Sequence, residues 1–274
     1  MKYKIIMVVL LLALTGCKTE NPETTNTPEP EIIEERLSDS VSGYKKIHVY
    51  VALCDNENQG IVPVPPAIGN GKDYNNNLYW GTQYGVRTFF KNSSEWKLLE
   101  TIKDPKEYIL ERLIFKSKNT YMVCDAYDGE FIKNTITDMI KASSGEGQEK
   151  ITIENETFIF GGGSDLVSYV GHDGLMEFDI SDMIKPRDDK TRDVIILACT
   201  SAVYFKKYIT AAGANPLIWT TGLMSPEAYT LEAALNSWIL DEEPAKIHES
   251  AAQAYNKYQK CGITGARNLF KTGF

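Results

Sequence analysis

LVSYVGHDG (residues 166–174) and VIILACTS (residues 194–201) decide the fold. The first opens as a short, mainly apolar run and the second as a fully apolar one, too short for a helix and too continuous for a strand with one wet face, so both predict strands buried on two sides. Each then breaks into polar residues, Gly171-His172-Asp173-Gly174 after the first and Cys199-Thr200-Ser201 after the second. Working outward, KIHVYVAL (46–53), NTYMVCDA (119–126) and PLIWTT (216–221) read as further strands. Helical periodicity over 131–142, 202–212, 226–240 and 245–260 alternates with them. Strands separated by helices predict an α/β fold with a mainly parallel sheet flanked by helices on both faces. In such sheets ligands bind beyond the carboxyl ends of the strands, where the His and the Cys fall.

The remaining segments are less uniform. Residues 78–90 have a helical period, 95–102 and 108–116 fit helix or strand, and 151–160 reads as a hairpin turning at Glu154-Asn155. Residues 56–76, with six Gly and Pro among several Asn, form a long loop, a type usually functional or mobile. Gly161-Gly162-Gly163 lacks a following Lys and opens no helix, so it reads as a turn, not a phosphate loop. Ser225 before Pro226 reads as a helix N-cap. Residues 241–274 read as a helical C-terminal extension whose Ala251, Ala254, Tyr255 and Tyr258 share one face.

The chain has 274 residues, 43% hydrophobic and 24% charged, which excludes general disorder, and no repeat of a solenoid or propeller is visible. Its 37 acidic residues against 29 basic ones, a formal charge of -8, argue against nucleic acid as a partner. At the N-terminus Lys2 and Lys4 precede an apolar run, Ile5–Leu14, too short to span a bilayer and the length of a secretory core. It ends in Leu14-Thr15-Gly16-Cys17, which resembles a bacterial lipoprotein lipobox. The resemblance implies a signal peptide at 1–16 and lipidation of Cys17, so that acyl chains anchor the chain to a membrane. Residues 17–43, rich in Thr, Glu, Pro and Asn, read as a flexible tether, and 44–274 as the folded domain. Loss of Lys2 and Lys4 takes the net charge from -8 to -10. The implied location is the bacterial cell envelope, outside the cytoplasm, and the absence of Asp at positions 18 and 19 favours the outer membrane. Nothing in the sequence fixes an oligomeric state.

Two neighbouring parallel strands would deliver His172 and Cys199 to the same sheet edge. An imidazole beside a thiol takes its proton, and the thiolate attacks a carbonyl carbon. An apolar strand ending in His-Gly followed by one ending in Ala-Cys resembles the caspase-like superfamily of cysteine peptidases, which includes caspases, gingipains, legumains and CHAT-type proteases. The matching residues are His172 with Gly174, and Ala198-Cys199; Ala211 to Ala214 leading into PLIWTTG resembles the passage that follows the nucleophile in CHAT domains. Asp173 stands between the His and the Gly, and 27 residues separate His172 from Cys199, which is short for that family. The resemblance implies a caspase-like three-layer sandwich, Cys199 as nucleophile, His172 as general base, an oxyanion hole from the backbone around Gly174 and Cys199, and a protein or peptide substrate. The alternative is a catalytically silent binding lipoprotein of caspase-like fold, engaging a polymer or partner through residues 56–76. A structural envelope component is a third class.

Other chemistry has less support. Three His at 48, 172 and 248 and Cys residues without a CxxC give no metal-ligand spacing, and no cofactor motif is present. No GxSxG elbow supports a serine hydrolase. Cys54 and Cys124 on adjacent strands leave a disulfide open. Asp55, Asp125 and Asp173 at strand ends either read a basic side chain and orient His172, or form turns. Trp219 to Gly222 either line a pocket or pack in the core.

Overall fold

Strand β1 (Lys45–Ala52) is the axis of the sheet, because both of its edges are paired in parallel, with β4 (Thr120–Tyr127) on one side and β7 (Leu166–Val170) on the other. Beyond β7, β8 (Asp193–Leu197) and β9 (Asn215–Thr220) continue the parallel run, and β10 (Phe270–Lys271) closes that edge antiparallel to β9. Beyond β4, β3 (Ile109–Ser117) and β2 (Lys97–Lys106) add an antiparallel hairpin, so the sheet is mixed, mainly parallel and eight-stranded. This computed structural model describes residues 43–274. The lipobox, Cys17 and the tether through residue 42 lie outside the described residues. Among the described residues no helix is long and apolar enough to cross a membrane.

Alternate residues of the central strands enter two separate apolar clusters. Ile47, Val49 and Val51 of β1 and Ile195 and Leu197 of β8 pack with α1 (Val86–Lys91), α5 (Ala228–Trp238) and α6 (Pro244–Gln259). Tyr50 and Ala52 of β1 and Val194 and Ile196 of β8 pack with α2 (Ile132–Ser143) and α4 (Lys206–Ala212). Ala251 and Tyr255 of the C-terminal segment are buried in the first cluster, and Ala254 and Tyr258 pack against it. The hairpin β5 (Glu149–Ile153) and β6 (Glu156–Phe160) turns on Glu154 and Asn155, both at positive φ as a two-residue hairpin requires. It covers Ile114, Tyr121 and Val123 with Ile151 and Phe158.

Several sequence expectations are corrected. Residues 78–85 form turns, and helix begins only at Val86. Gly81 lies so close to the Asn75 carbonyl that a Cβ would overlap it, which fixes a tight turn. Residues 202–212 hold two short helices, α3 (Ser201–Tyr204) and α4, separated at Phe205. The N-cap of α5 is Glu227, not Ser225, whose carbonyl accepts the Glu227 N–H at 2.9 Å. The C-terminal extension adds α7 (Ile263–Leu269) and the short β10, which no periodicity announced. All four cysteines of the described region are free, so Cys54 and Cys124 are not bridged. The register explains it: Cys124 pairs with Val49, five residues before Cys54 along β1, roughly 16 Å of extended chain. Asp125 sits within β4, not at its end, where Arg112 and His48 hold it.

Residues 56–76 are tied down at both ends of the loop. Asn77, fully buried, accepts the N–H groups of Cys54 (3.0 Å) and Tyr79 (3.1 Å) on Oδ1 and donates from Nδ2 to the carbonyls of Cys54 (2.8 Å) and Asn70 (3.0 Å). One amide side chain thereby extends the edge of β1 past its last residue. Asn77→Ala strands two buried N–H donors and is expected to lower stability by about 2–3 kcal/mol, read from urea midpoints at unchanged slope.

A candidate active site at the carboxyl edge of the sheet

The chain leaves β1 towards β4 but leaves β7 towards β8, so the connections diverge between β1 and β7. A crevice at the carboxyl ends follows from that reversal of strand order. The β7–β8 register closes on Val170 opposite Leu197, and the Gly171 N–H extends it by donating to the Leu197 carbonyl at 3.2 Å. His172 and Cys199 each stand two residues beyond that last pair. The parallel register therefore sets residues 172 and 199 at matching positions past the ends of adjacent strands.

A carboxylate organises the histidine. His172 Nε2 lies 2.7 Å from Glu177 Oε1, and the Tyr169 hydroxyl donates to the His172 carbonyl at 2.7 Å. With Nε2 committed to Glu177, Nδ1 is the nitrogen left to take a proton. Gly60 of the long loop presses on the same carboxylate, and a Cβ there would overlap Glu177. The loop thus buttresses the pair that orients His172.

Cys199 is half-buried, and its Sγ lies 3.5 Å from the Met224 N–H donor and 3.6 Å from the Met224 carbonyl. Among the described residues no hydrogen bond joins Cys199 to His172. Thr200, the next residue, has φ +52°, a left-handed conformation that is costly for a β-branched side chain. Strain of this kind concentrates at functional sites. The backbone donors of the expected oxyanion hole have partners here: Gly174 N–H donates to His172 O (3.1 Å), Thr200 N–H to Gly222 O (2.9 Å) and Ser201 N–H to the Thr220 hydroxyl (3.3 Å).

The neighbouring acids and thiols divide by environment. Asp173 is fully buried; its Oδ1 accepts the Leu175 N–H at 3.1 Å while Oδ2 has no partner. Burial, reinforced by nearby Glu177, pushes its carboxyl up to about 7. Asp55, also buried, shapes a turn by accepting the N–H groups of Glu57 (2.9 Å) and Asn58 (3.2 Å). Burial pushes the Cys54 thiol up to about 11, against a Tyr79 hydrogen bond that lowers it, and burial also raises Cys124. Neither is a competing nucleophile at neutral pH. Trp219 is fully buried in the second cluster and donates to Gly273 O at 3.1 Å, so it packs and does not line an open pocket.

A groove of about 660 Å³ is lined by Leu175 and Asp179 after β7 and by residues of α3 and α4, among them Val203, Tyr204, Lys206 and Lys207; neither His172 nor Cys199 lines it. Among the described residues no group of three or more His, Cys, Asp and Glu is placed to hold a metal ion. Glu177 is the member of the site that sequence reasoning missed. Five residues past a histidine, in an irregular turn, it had no periodic signature to mark it. Also unanticipated is the buried network on β1, β3 and β4, where Arg112 forks onto Asp125 and Glu149. There His48 Nε2 meets Asp125 at 2.9 Å while its Nδ1 accepts the Gly161 N–H at 3.0 Å, so Nε2 carries the ring proton. The chain matches no family model, no curated protein and no solved structure.

Proposed function

We propose that the chain is a lipid-anchored cysteine peptidase of the bacterial cell envelope, with a caspase-like three-layer fold carrying helices on both faces of the sheet. Cys199 is the nucleophile, His172 the general base and Glu177 the group that orients it. The observation that carries this reading is the β7–β8 register, which sets His172 and Cys199 at matching positions past adjacent strand ends. The strained Thr200 and the free thiol support it.

In the reaction the Cys199 proton passes to His172 Nδ1 as sulfur attacks the substrate carbonyl carbon. The leaving amine then takes that proton, and water releases the acyl group from the thioester. Substrate binding draws Cys199 from Met224 towards the imidazole; catalytic hydrogen bonds are often long before substrate arrives. The donors now held by Thr200, Ser201 and Gly174 exchange their internal acceptors for the developing oxyanion.

A second reading, a silent binding lipoprotein, is favoured by one observation: Cys199 and His172 each have a different hydrogen-bond partner. p-Nitrophenyl acetate separates the two. The peptidase reading expects one equivalent of nitrophenolate in a burst, with the acetyl group on Cys199 by mass spectrometry. The burst disappears in Cys199→Ala and slows by about 100-fold in His172→Ala, the low end for a lost general base. Acetylation confined to the exposed Cys261 sinks the reading in favour of binding.

A further inference from the structure

A separate cavity of about 160 Å³ is lined by His48 and Tyr50 of β1, Tyr127 of β4 and Asp138 of α2, and none of its lining residues belongs to the candidate active site. His48, Tyr50 and Tyr127 are buried, so their polar atoms need partners. Tyr50 is the one left short. Its hydroxyl lies 3.1 Å from His48 Nδ1, but that nitrogen has a single lone pair and already takes the Gly161 N–H at 3.0 Å. The N–H is fixed by the backbone whereas a hydroxyl rotates, so the Tyr50 proton is the one available to another acceptor. The charged groups of the cavity show a matching gap. Lys106 pairs with Glu149 at 2.6 Å, Lys141 with Asp182 at 2.5 Å and Glu146 with Arg187 at 2.5 Å. Asp138 accepts the Tyr127 hydroxyl at 2.9 Å and, among the described residues, has no ion-pair partner. Burial pushes its carboxyl up, against the Tyr127 hydrogen bond and the more distant Lys141, Lys106 and His48.

We propose that this cavity binds a small zwitterionic α-amino acid, its ammonium group on Asp138 and its carboxylate on the Tyr50 hydroxyl. The two unmet needs of the cavity are a positive donor for Asp138 and an acceptor for Tyr50, and an α-amino acid carries both on adjacent carbons. A simple anion serves Tyr50 but adds a negative charge beside Asp138, Glu146 and Glu149. A simple amine serves Asp138 but leaves Tyr50 without an acceptor and meets Lys106 and Lys141. At about 30 Å³ for the share of one water, the volume suits a ligand of about five to seven heavy atoms, the size of glycine, alanine or serine. A few placed polar groups of this kind fix the orientation of a small ligand. The site stands whether or not Cys199 reacts.

The test is titration calorimetry on the chain from Lys18 onward, with glycine, L-alanine and L-serine as probes and with acetate and ethylamine as the two halves of such a molecule. At least one of the three amino acids is expected to bind about tenfold or more tighter than either half, the gain from one further hydrogen bond to a charged group. Tyr50→Phe keeps the ring and removes the hydroxyl, and Asp138→Asn keeps an acceptor for Tyr127 and removes the charge. Each is expected to weaken binding about tenfold or more. Cys199→Ala, at a separate site, leaves it within about twofold. No heat from any of the three amino acids up to about 10 mM means that the cavity holds water only, and overturns the proposal. Acetate or ethylamine binding as tightly as the amino acid also overturns it, and so does unchanged affinity in either Tyr50→Phe or Asp138→Asn. The comparison with the two halves is made on the wild-type chain, so it decides even where a variant fails to fold. Amino-acid binding by a chain whose Cys199 is not acetylated leaves this inference standing and removes the peptidase reading alone.

Discussion

Arg112→Met is expected to destabilise the protein by about 3–5 kcal/mol, a large share of the 5–15 kcal/mol that holds a typical domain together. Arg112 is 3% exposed and donates to both oxygens of the fully buried Asp125, each at 2.7 Å, while its other face holds Glu149 at 2.8 and 3.1 Å. Burial alone would raise the Asp125 carboxyl, but the guanidinium, followed by His48, holds it below the ordinary carboxylate range. Removing Arg112 leaves a buried carboxylate with only the His48 N–H. The sign with pH follows. A carboxyl depressed in the folded state contributes stability above its unfolded value, near 4, and loses it as pH falls through the lower folded value. In Arg112→Met that depression is gone and protonation relieves the buried charge. The gap between variant and wild type in urea midpoints is therefore wider at pH 8 than at pH 5. Arg112→Met combined with Asp125→Leu recovers part of the loss, because no charge is then left unpaired. Equal gaps at the two pH values would show that Asp125 is not the group left exposed to the loss.

The second large effect has the opposite sign. Asp173, raised to about 7 by burial, binds a proton in the folded state that the unfolded chain releases near pH 4. Its contribution is fully present below the unfolded value and is lost as pH rises through the folded one. Stability thus falls between pH 4 and pH 7, by up to about 4 kcal/mol from this group. Asp173→Asn keeps the acceptor for the Leu175 N–H and removes the titration. The variant is expected to flatten that part of the profile and to be the more stable protein at pH 8. A wild-type profile and an Asp173→Asn profile that run parallel from pH 4 to 8 would contradict a raised carboxyl.

Much of the scaffold was legible because the physics is local. β1, β4, β7, β8 and β9 are mainly apolar runs without regular polar alternation, and a strand buried on both sides can be written in few other ways. The hairpin turn at Glu154-Asn155 was legible for the same reason, since few residues tolerate two successive positive φ values. Where tertiary contacts decide, the sequence was misleading or silent. Residues 78–85 have a helical period, but Gly81 packs on the Asn75 carbonyl and Asn77 draws the chain to Cys54 instead. Phe270 and Lys271, two residues that follow α7 directly, are too short a span for any period to register, so β10 was invisible. Ser225 satisfies the composition of an N-cap without making one.

The candidate site was legible in part. His172 and Cys199 stood out because polar residues abruptly end buried strands. Glu177 did not, because its role comes from a turn that folds back on the histidine. Asp125 looked like a strand-end acid until the register placed it opposite Tyr50 of β1 and Arg112 of β3, in the middle of the sheet. His48 was read only as one of three histidines without metal-ligand spacing, although its ring joins β1 to β4 and to Gly161.

The measurement that tests the central claim most directly is the iodoacetamide reaction rate of each cysteine in the chain from Lys18 onward, by mass spectrometry at pH 7, in wild type and His172→Ala. Cys261 is exposed and serves as the reference for an ordinary accessible thiol, while Cys54 and Cys124 are buried. An unactivated, half-buried Cys199 should react more slowly than Cys261. The expected result is the reverse order, with Cys199 fastest and its lead lost in His172→Ala. A Cys199 that reacts more slowly than Cys261, or as fast without His172 as with it, contradicts the assembled Cys199–His172 pair.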